Sequence, residues 1–95
     1  MSLLDQNEIN LKLKALKGWN IEDKQIGKEF KFKNFKAALD FVNKVGNAAE
    51  VMNHHPDILL YSWNKVKITI STHSEGGITG KDFKLAEKIE SLINA

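Results

Sequence analysis

The chain has 95 residues, of which 42% are hydrophobic and 27% are charged, and it contains one proline and no cysteine. These proportions are typical of a folded domain rather than a disordered chain, and we expect a single domain over residues 1–95. The lack of cysteine excludes disulfide bonds, a thiolate nucleophile and sulfur-ligated zinc. Because the formal net charge is only +2 and lysines alternate with acids, we expect a solvated charged surface and no nucleic-acid partner.

We expect no membrane or export segment in this sequence. Its first ten residues, MSLLDQNEIN, lack the basic and apolar regions of a signal peptide, and no run of about eighteen apolar residues could span a bilayer. We therefore expect a cytoplasmic protein with no membrane partner. Because so small a domain buries a limited share of its surface, self-association would be a natural source of additional stability.

The first predicted element is a helix that Asp5 caps and that runs to about Leu16. Apolar residues at positions 9, 13 and 16 recur at helical spacing. Gly18 is placed to end this helix.

A hairpin is predicted next, from Trp19 to residue 33. Phe30 and Phe32 alternate with charged residues in the period of two that is typical of a half-buried strand. The turn of this hairpin is expected between Asp23 and Gly27.

A long amphipathic helix is predicted after Asn34, which is a good N-cap residue. Its apolar residues stand at positions 35, 38, 42, 45, 49 and 52. The helix must end close to Pro56, because proline disfavours the helical conformation in the residue before it. We therefore expect His55 outside the helix and His54 at or just past its last turn.

A second pair of strands is predicted over residues 57–63 and 64–73. In the latter, alternate residues from Val66 to Thr72 point to one face and those from Lys67 to His73 point to the other. Thr79 and Asp82 have the spacing of a capping box that begins a last helix, ending at residue 95. The order α-β-β-α-β-β-α predicts an α+β, two-layer sandwich with a four-stranded antiparallel sheet and helices on one face.

The three histidines all lie at predicted ends of elements, where functional groups concentrate on a rigid scaffold. A single histidine at a helix C-terminus more often has only a structural role, interacting with the helix dipole and the free carbonyls. Glu50 precedes His54 by four residues, so we expect its carboxylate to lie on the same helix face and to orient that imidazole. Asp82 has two compatible interpretations, as a helix cap or as a group that orients one of the histidines.

A metal site is a competing interpretation, because three histidines and one open position describe many catalytic zinc centres. The spacing argues against it. Consecutive residues such as His54 and His55 diverge in direction, and the chain has neither two histidines four residues apart nor HExxH. We therefore predict acid/base chemistry with no metal and no cofactor.

Three motifs together carry a resemblance to a known family. They are E-x-x-x-H-H-P at residues 50–56, N-K-V-x-I-T-I-S-T-H at 64–73 and G-G-I-T-x-x-D-F-x-L-A at 76–86. In this combination the chain resembles the pterin-4a-carbinolamine dehydratase family, also called dimerization cofactors of a homeodomain transcription factor. The likeness runs from Gly18 to the last helix.

The resemblance implies a lyase, 4a-hydroxytetrahydrobiopterin dehydratase, which converts 4a-hydroxytetrahydropterin to quinonoid dihydropterin in tetrahydrobiopterin recycling. It implies that His54 and His73 are the acid/base pair, that His55 positions the pterin, and that Glu50 and Asp82 orient these histidines. The implied substrate-binding residues are Asn53, His54, His55, Pro56, Ser71, Thr72, His73 and Ser74. Relatives form dimers and tetramers, so a homodimer or homotetramer is expected.

The chain departs from the family pattern at three places. Asn53 stands where relatives often have aspartate, and Ile58 stands where animal members have tryptophan. The stretch DILLYSWNKV is one residue longer than usual, which predicts a bulge or slip at the start of the strand. The pterin packing is therefore expected to differ.

Two alternative functions stay open from the sequence. The chain could be a dimerising, protein-binding regulatory module, or an enzyme that acts on another pterin such as a molybdopterin precursor. A scaffold has no need for Glu50, His54, His55, His73 and Asp82 together, so this set favours an enzyme over the first alternative. The second alternative would use the same site, and the sequence does not separate the two pterins.

Overall fold

The computed structural model describes residues 2–93 and has the predicted order of elements, α-β-β-α-β-β-α. The elements are α1 Gln6–Lys14, β1 Asn20–Glu22, β2 Gln25–Lys31, α2 Phe35–Met52, β3 Asp57–Tyr61, β4 Lys65–Ile70 and α3 Gly80–Ile93. A single 3₁₀ turn, His73–Glu75, lies between β4 and α3. The predicted end of the last helix at 94–95 lies outside the described residues.

The predicted helix starts are confirmed. The Asp5 carboxylate accepts a hydrogen bond from the Glu8 backbone N–H, and the Glu8 side chain accepts one from the Asp5 N–H, which forms a capping box. Asn34 accepts a hydrogen bond from the Ala37 N–H at the start of α2. Within residues 2–93, no helix is both long and apolar enough to cross a membrane.

The four strands form one antiparallel sheet in the order β1-β2-β4-β3. On its inner face Ile26 pairs with Ile70 and Phe30 with Val66, and these side chains are buried. Helices α2 and α3 pack over this face with buried apolar side chains of their own, including Phe41, Val45, Leu85 and Ile89. The two-layer sandwich with helices on one face is therefore confirmed.

The expected bulge at the start of β3 is wrong. Strand β3 pairs with β4 without interruption, from Asp57 opposite Thr69 to Tyr61 opposite Lys65. The chain then turns through Ser62 and Trp63, whose φ angles of 46° and 57° lie in the left-handed region. Because this pairing has no slip, β4 continues without interruption to Ile70, and the residues directly after Ile70 belong to the candidate site.

Candidate active site

The end of α2 sets the direction in which the first two histidines leave the helix. Asn53 has φ 51° and ψ 43°, which is the left-handed conformation. The His54 N–H donates to the Ala49 carbonyl at 3.1 Å and the Asn53 N–H to the Glu50 carbonyl at 3.2 Å. This pair of bonds is a Schellman motif, and asparagine is one of the few residues that tolerate its left-handed position.

The expected cause of the helix end is therefore corrected. Pro56 lies three residues beyond Asn53 and is half-buried, and the left-handed turn at Asn53 has already ended the helix. The prediction that His54 lies just past the last turn is confirmed. Because the left-handed residue changes the course of the chain, the helical i,i+4 geometry does not extend to His54.

The His54 imidazole contacts a carboxylate that is distant in the sequence. Its Nε2 lies 2.6 Å from Oδ1 of Asp82, in the first turn of α3. The His54 side chain is 11% exposed and the Asp82 side chain is fully buried. Because the Asp82 oxygen is an acceptor, the neutral His54 ring carries its hydrogen on Nε2. Nδ1 is then left for other partners.

Asp82 receives two further hydrogen bonds besides the one from His54. The Thr79 backbone N–H donates to Oδ2 at 2.8 Å, and the Thr72 hydroxyl donates to the carboxylate at 3.0 and 3.2 Å. Asp82 thus contacts both the backbone at the start of α3, as a cap does, and the imidazole of His54. A buried carboxylate with three donors is a satisfied acceptor, which keeps its position well defined.

Glu50 has a different partner from the one expected. Its carboxylate forms a hydrogen bond and ion pair with Nε2 of His55, not with His54. Both side chains are largely exposed. The expected Glu50–His54 contact is therefore wrong, and its physical reason is the left-handed turn at Asn53, which carries His54 towards Asp82.

His73 is the third histidine of the site. It begins the 3₁₀ turn after β4 and is exposed. The turn is closed by a bridge between Thr72 and Gly77, in which the Thr72 N–H donates to the Gly77 carbonyl at 2.8 Å. Among the described residues the His73 imidazole has no hydrogen-bond partner, so both ring nitrogens are available to a ligand.

The three histidines line one open pocket of about 260 Å³. Its wall contains seven of the residues that the sequence singled out, together with one that it did not: Asn53, His54, His55, Ser71, Thr72, His73, Ser74 and Lys81. Glu50 and Asp82 are not part of this lining, and they contact His55 and His54 respectively. Pro56 is not part of the lining.

Sequence reasoning missed two residues of the site. Lys81 lines the pocket as a cation in the first turn of α3, and Thr79 contacts the carboxylate of Asp82 through its backbone. The capping-box spacing pointed to Thr79 only as a helix start. The position of Lys81 next to Asp82 was the one signal for its placement.

In the described part of the chain, no group of three or more histidine, aspartate or glutamate side chains could hold a metal ion. His54 and His55 each direct Nε2 at a different carboxylate, as the predicted divergence of consecutive side chains requires. Among residues 2–93, the imidazoles of His54 and His55 thus have carboxylate partners and that of His73 has none.

Fold and pocket together define a small α+β domain with a histidine-lined site that rests on a buried carboxylate. The sequence profile of the pterin 4 alpha carbinolamine dehydratase family matches residues 2–92. The chain belongs to this family.

Two similar proteins carry the same family name. A protein of Sulfolobus acidocaldarius is 48% identical over 89 residues, which cover 94% of this chain and 97% of that one. A protein of Prochlorococcus marinus is 45% identical over 95 residues, covering 100% of this chain and 99% of that one. Both have the provisional name pterin-4-alpha-carbinolamine dehydratase.

A solved structure supports the same assignment. The transcriptional coactivator/pterin dehydratase of Brucella melitensis superimposes with a TM-score of 0.91 at 38% sequence identity. The match covers 96% of this chain and 98% of that one.

Proposed function

We propose that this protein is a hydro-lyase that dehydrates 4a-hydroxytetrahydropterin to quinonoid dihydropterin in the recycling of tetrahydrobiopterin. The observation that carries the proposal is the contact of His54 Nε2 with the buried Asp82 carboxylate, at a pocket that His73 also lines. Family membership supplies the class of reaction. The chemistry needs no metal and no cofactor in this proposal.

His54 is well suited to accept a proton at Nδ1. With Nε2–H bound to Asp82, the lone pair of the neutral ring lies on Nδ1. When Nδ1 takes a proton, the positive ring lies 2.6 Å from a carboxylate that is shielded from water. This is the relation by which a buried aspartate stabilises an imidazolium in acid/base catalysis.

The reaction breaks the bond between C4a and the hydroxyl oxygen and forms a double bond between C4a and the adjacent ring nitrogen. One imidazole delivers a proton to the departing oxygen, which leaves as water, and the other removes the proton from the ring nitrogen. His54 and His73 perform these two transfers, and a proton exchange with solvent restores both. Each well-placed acid or base contributes on the order of 10² to 10⁴ in rate.

The remaining residues of the pocket bind and position the pterin. His55, held by Glu50, contacts the ring, while Asn53, Ser71 and Ser74 offer hydrogen-bonding groups to its flat polar edge. Lys81 adds a cation at the pocket that suits a carbonyl oxygen of the ring or an anionic substituent. The proposal includes a cytoplasmic location and a homodimer or homotetramer.

The test is the rate at which the 4a-carbinolamine absorbance disappears in the presence of purified protein. A chelator is added both to the protein stock and to the assay buffer. We expect the wild type to accelerate the reaction and His73→Ala to lose most of that acceleration. Ser62→Ala is the matched control, since Ser62 is exposed in the β3–β4 turn and does not line the pocket. A wild type that leaves the uncatalysed rate unchanged would refute the dehydratase proposal.

The same samples distinguish the two alternatives. If the carbinolamine rate is unchanged while a reduced pterin still binds, the enzyme acts on another pterin, such as a molybdopterin precursor. If no pterin binds, the regulatory role remains, for which the name of the Brucella melitensis relative is the supporting observation.

A further inference from the structure

We infer that Thr72 and Thr79 are positioning residues, whose hydroxyl groups fix the orientation of Asp82 and, through it, the tautomer and direction of His54. This inference rests on the proposed acid/base role of His54. It also changes the role expected for Thr72, from contact with the substrate to support of the histidine.

The hydrogen bonds of this cluster have one consistent direction. The ionised Asp82 carboxylate can only accept, so the Thr72 hydroxyl, at 3.0 Å from Oδ2, is the donor. The Thr72 oxygen lies 2.8 Å from the Thr79 hydroxyl oxygen, and because its own hydrogen is used, the Thr79 hydroxyl donates to it. The Thr79 oxygen in turn accepts from the Lys81 backbone N–H at 3.2 Å.

This chain of donors ends at the carboxylate that holds the imidazole. It runs from the first turn of α3 through Thr79 and Thr72 to Asp82, which also accepts from Nε2 of His54. The carboxylate is thereby held by the Thr72 hydroxyl and the Thr79 N–H in the orientation that presents Oδ1 to the ring. A side chain that is held on several sides orients its partner more precisely than one held by a single bond.

Burial separates this role from substrate binding. Thr79 and Asp82 are fully buried, and Thr72 is only 6% exposed although it lines part of the pocket, so the three polar groups are largely removed from solvent. The hydrogen of the Thr72 hydroxyl is committed to Asp82 and cannot be donated to a pterin. Substrate hydrogen bonds in this part of the wall are left to the neighbouring Ser71 and Ser74, which line the same pocket and are less buried.

The experiment compares threonine with valine and serine at both positions. Valine keeps the shape of the side chain and removes the hydroxyl, whereas serine keeps the hydroxyl and removes a methyl group. Thr69→Val is the matched control, because Thr69 lies on β4 with its side chain on the outer face of the sheet. The readouts are kcat and KM for the carbinolamine, and the tautomer of each neutral histidine ring, measured by nitrogen NMR on the free protein.

We expect Thr72→Val to lower kcat by roughly tenfold to a hundredfold, with KM changed much less, because its hydrogen bond to the charged Asp82 is lost. Thr79→Val keeps the backbone N–H bond to Asp82 and loses the hydroxyl bond to Thr72, so we expect a smaller loss of kcat, up to roughly tenfold. Serine restores kcat at both positions, and Thr69→Val matches the wild type. In the NMR spectra, His54 carries its hydrogen on Nε2 in the wild type and shifts towards Nδ1–H in the valine variants. With three histidines in the chain, the signals are few enough to assign.

Three results would overturn the inference. The first is a wild-type His54 with its hydrogen on Nδ1, a measurement that needs no variant to fold. The second is a pair of folded valine variants that keep both kcat and the His54 tautomer. The third is an equal loss in serine and valine variants, which would mean that volume and not the hydroxyl matters. If the wild type has no dehydratase activity, the proposed function fails, and the tautomer measurement alone decides this inference.

Discussion

His54 and Asp82 are 28 residues apart in sequence, and their side chains meet at 2.6 Å between Nε2 and Oδ1. The first lies just after the C-terminal end of α2 and the second lies in the first turn of α3. Their contact therefore joins the ends of two helices that pack side by side on the sheet. The catalytic proposal depends on this contact more than on any local motif.

Asp82→Asn should damage both activity and stability. An amide group presents a donor where the carboxylate accepts from His54, Thr72 and the Thr79 N–H, so at least one buried donor loses its partner. We expect a loss in the free energy of unfolding of about 1–3 kcal/mol. We also expect kcat to fall by roughly a hundredfold or more, because the imidazole loses its orienting charge.

Chemical denaturation and the carbinolamine assay measure these two effects. Asp40→Asn is the matched control, because Asp40 is half-exposed and its 3.7 Å ion pair with Lys36 lies on the helix surface. An Asp82→Asn protein as stable and as active as this control would contradict the account of the site.

Glu50→Gln should have a mild effect, and this effect should be on substrate binding rather than on the chemical step. The carboxylate of Glu50 is 77% exposed and its partner His55 is 56% exposed, so their ion pair is screened by solvent. Exposed pairs contribute about 1 kcal/mol or less, which corresponds to at most about a fivefold rise in KM. Steady-state kinetics at low and high salt check this, with Glu87→Gln as the exposed control. A loss of kcat as large as that of Asp82→Asn would show that Glu50 takes part in the chemistry.

Asn53 tests whether the helix end depends on backbone conformation. Glycine adopts the left-handed conformation freely, so Asn53→Gly should retain the stability of the wild type within about 0.5 kcal/mol. Asn53→Ala should lower the free energy of unfolding by about 1 kcal/mol, because alanine lacks the short polar side chain with which asparagine tolerates φ 51°. Denaturant titration measures both values.

The kinetics of Asn53→Gly add a second result. A raised KM in this variant would assign the asparagine side chain to substrate binding, as the family resemblance implies. If alanine and glycine were equally stable, the Schellman motif would not be what ends α2.

Tyr61 should titrate above its ordinary range. Its hydroxyl donates to Glu29, and this hydrogen bond, then desolvation and the negative charge of the carboxylate, raise the pKa of Tyr61 above 10.0. The folded protein therefore favours the neutral phenol of Tyr61. The stability that this preference contributes is complete below the pKa of tyrosine in the unfolded chain, and it is lost as pH rises through the higher pKa of Tyr61 in the folded protein.

The chain contains one tyrosine, so the ultraviolet absorbance of tyrosinate reports Tyr61 alone. We expect Glu29→Ala to lower the pKa of Tyr61 towards 10.0 and Glu87→Ala to leave it raised. A Tyr61 that titrates identically in the wild type and in Glu29→Ala would contradict the Glu29 contact.

The fold was predictable because its signals are local. The alternation through β4 placed Val66, Ile68 and Ile70 on the buried face, and the caps at Asp5 and Asn34 fixed two helix starts. The pairing of carboxylates with histidines was not predictable in this way. Local spacing joined Glu50 to His54, whereas one left-handed residue, Asn53, sent His54 across the domain to Asp82.

The supporting residues of the site were hidden from the sequence for the same reason. Thr79 looks like a helix cap and Thr72 like a strand residue, and only the course of the chain between β4 and α3, closed by the Thr72–Gly77 bridge, brings their hydroxyls together. Lys81 is one of fourteen lysines, and its position next to Asp82, the one signal in the sequence, does not by itself distinguish a pocket lysine from a solvated one.

The most direct test of the central claim is the kcat of His54→Gln, His73→Ala and the double variant, each measured with chelator present. Glutamine at position 54 can still donate to Asp82, so the buried carboxylate keeps a partner. We predict that each single variant loses on the order of 10² to 10⁴ in kcat while remaining folded. The double variant should lose little more, because the two imidazoles act as one unit. Folded single variants with wild-type kcat would contradict the assignment of proton transfer to these two histidines.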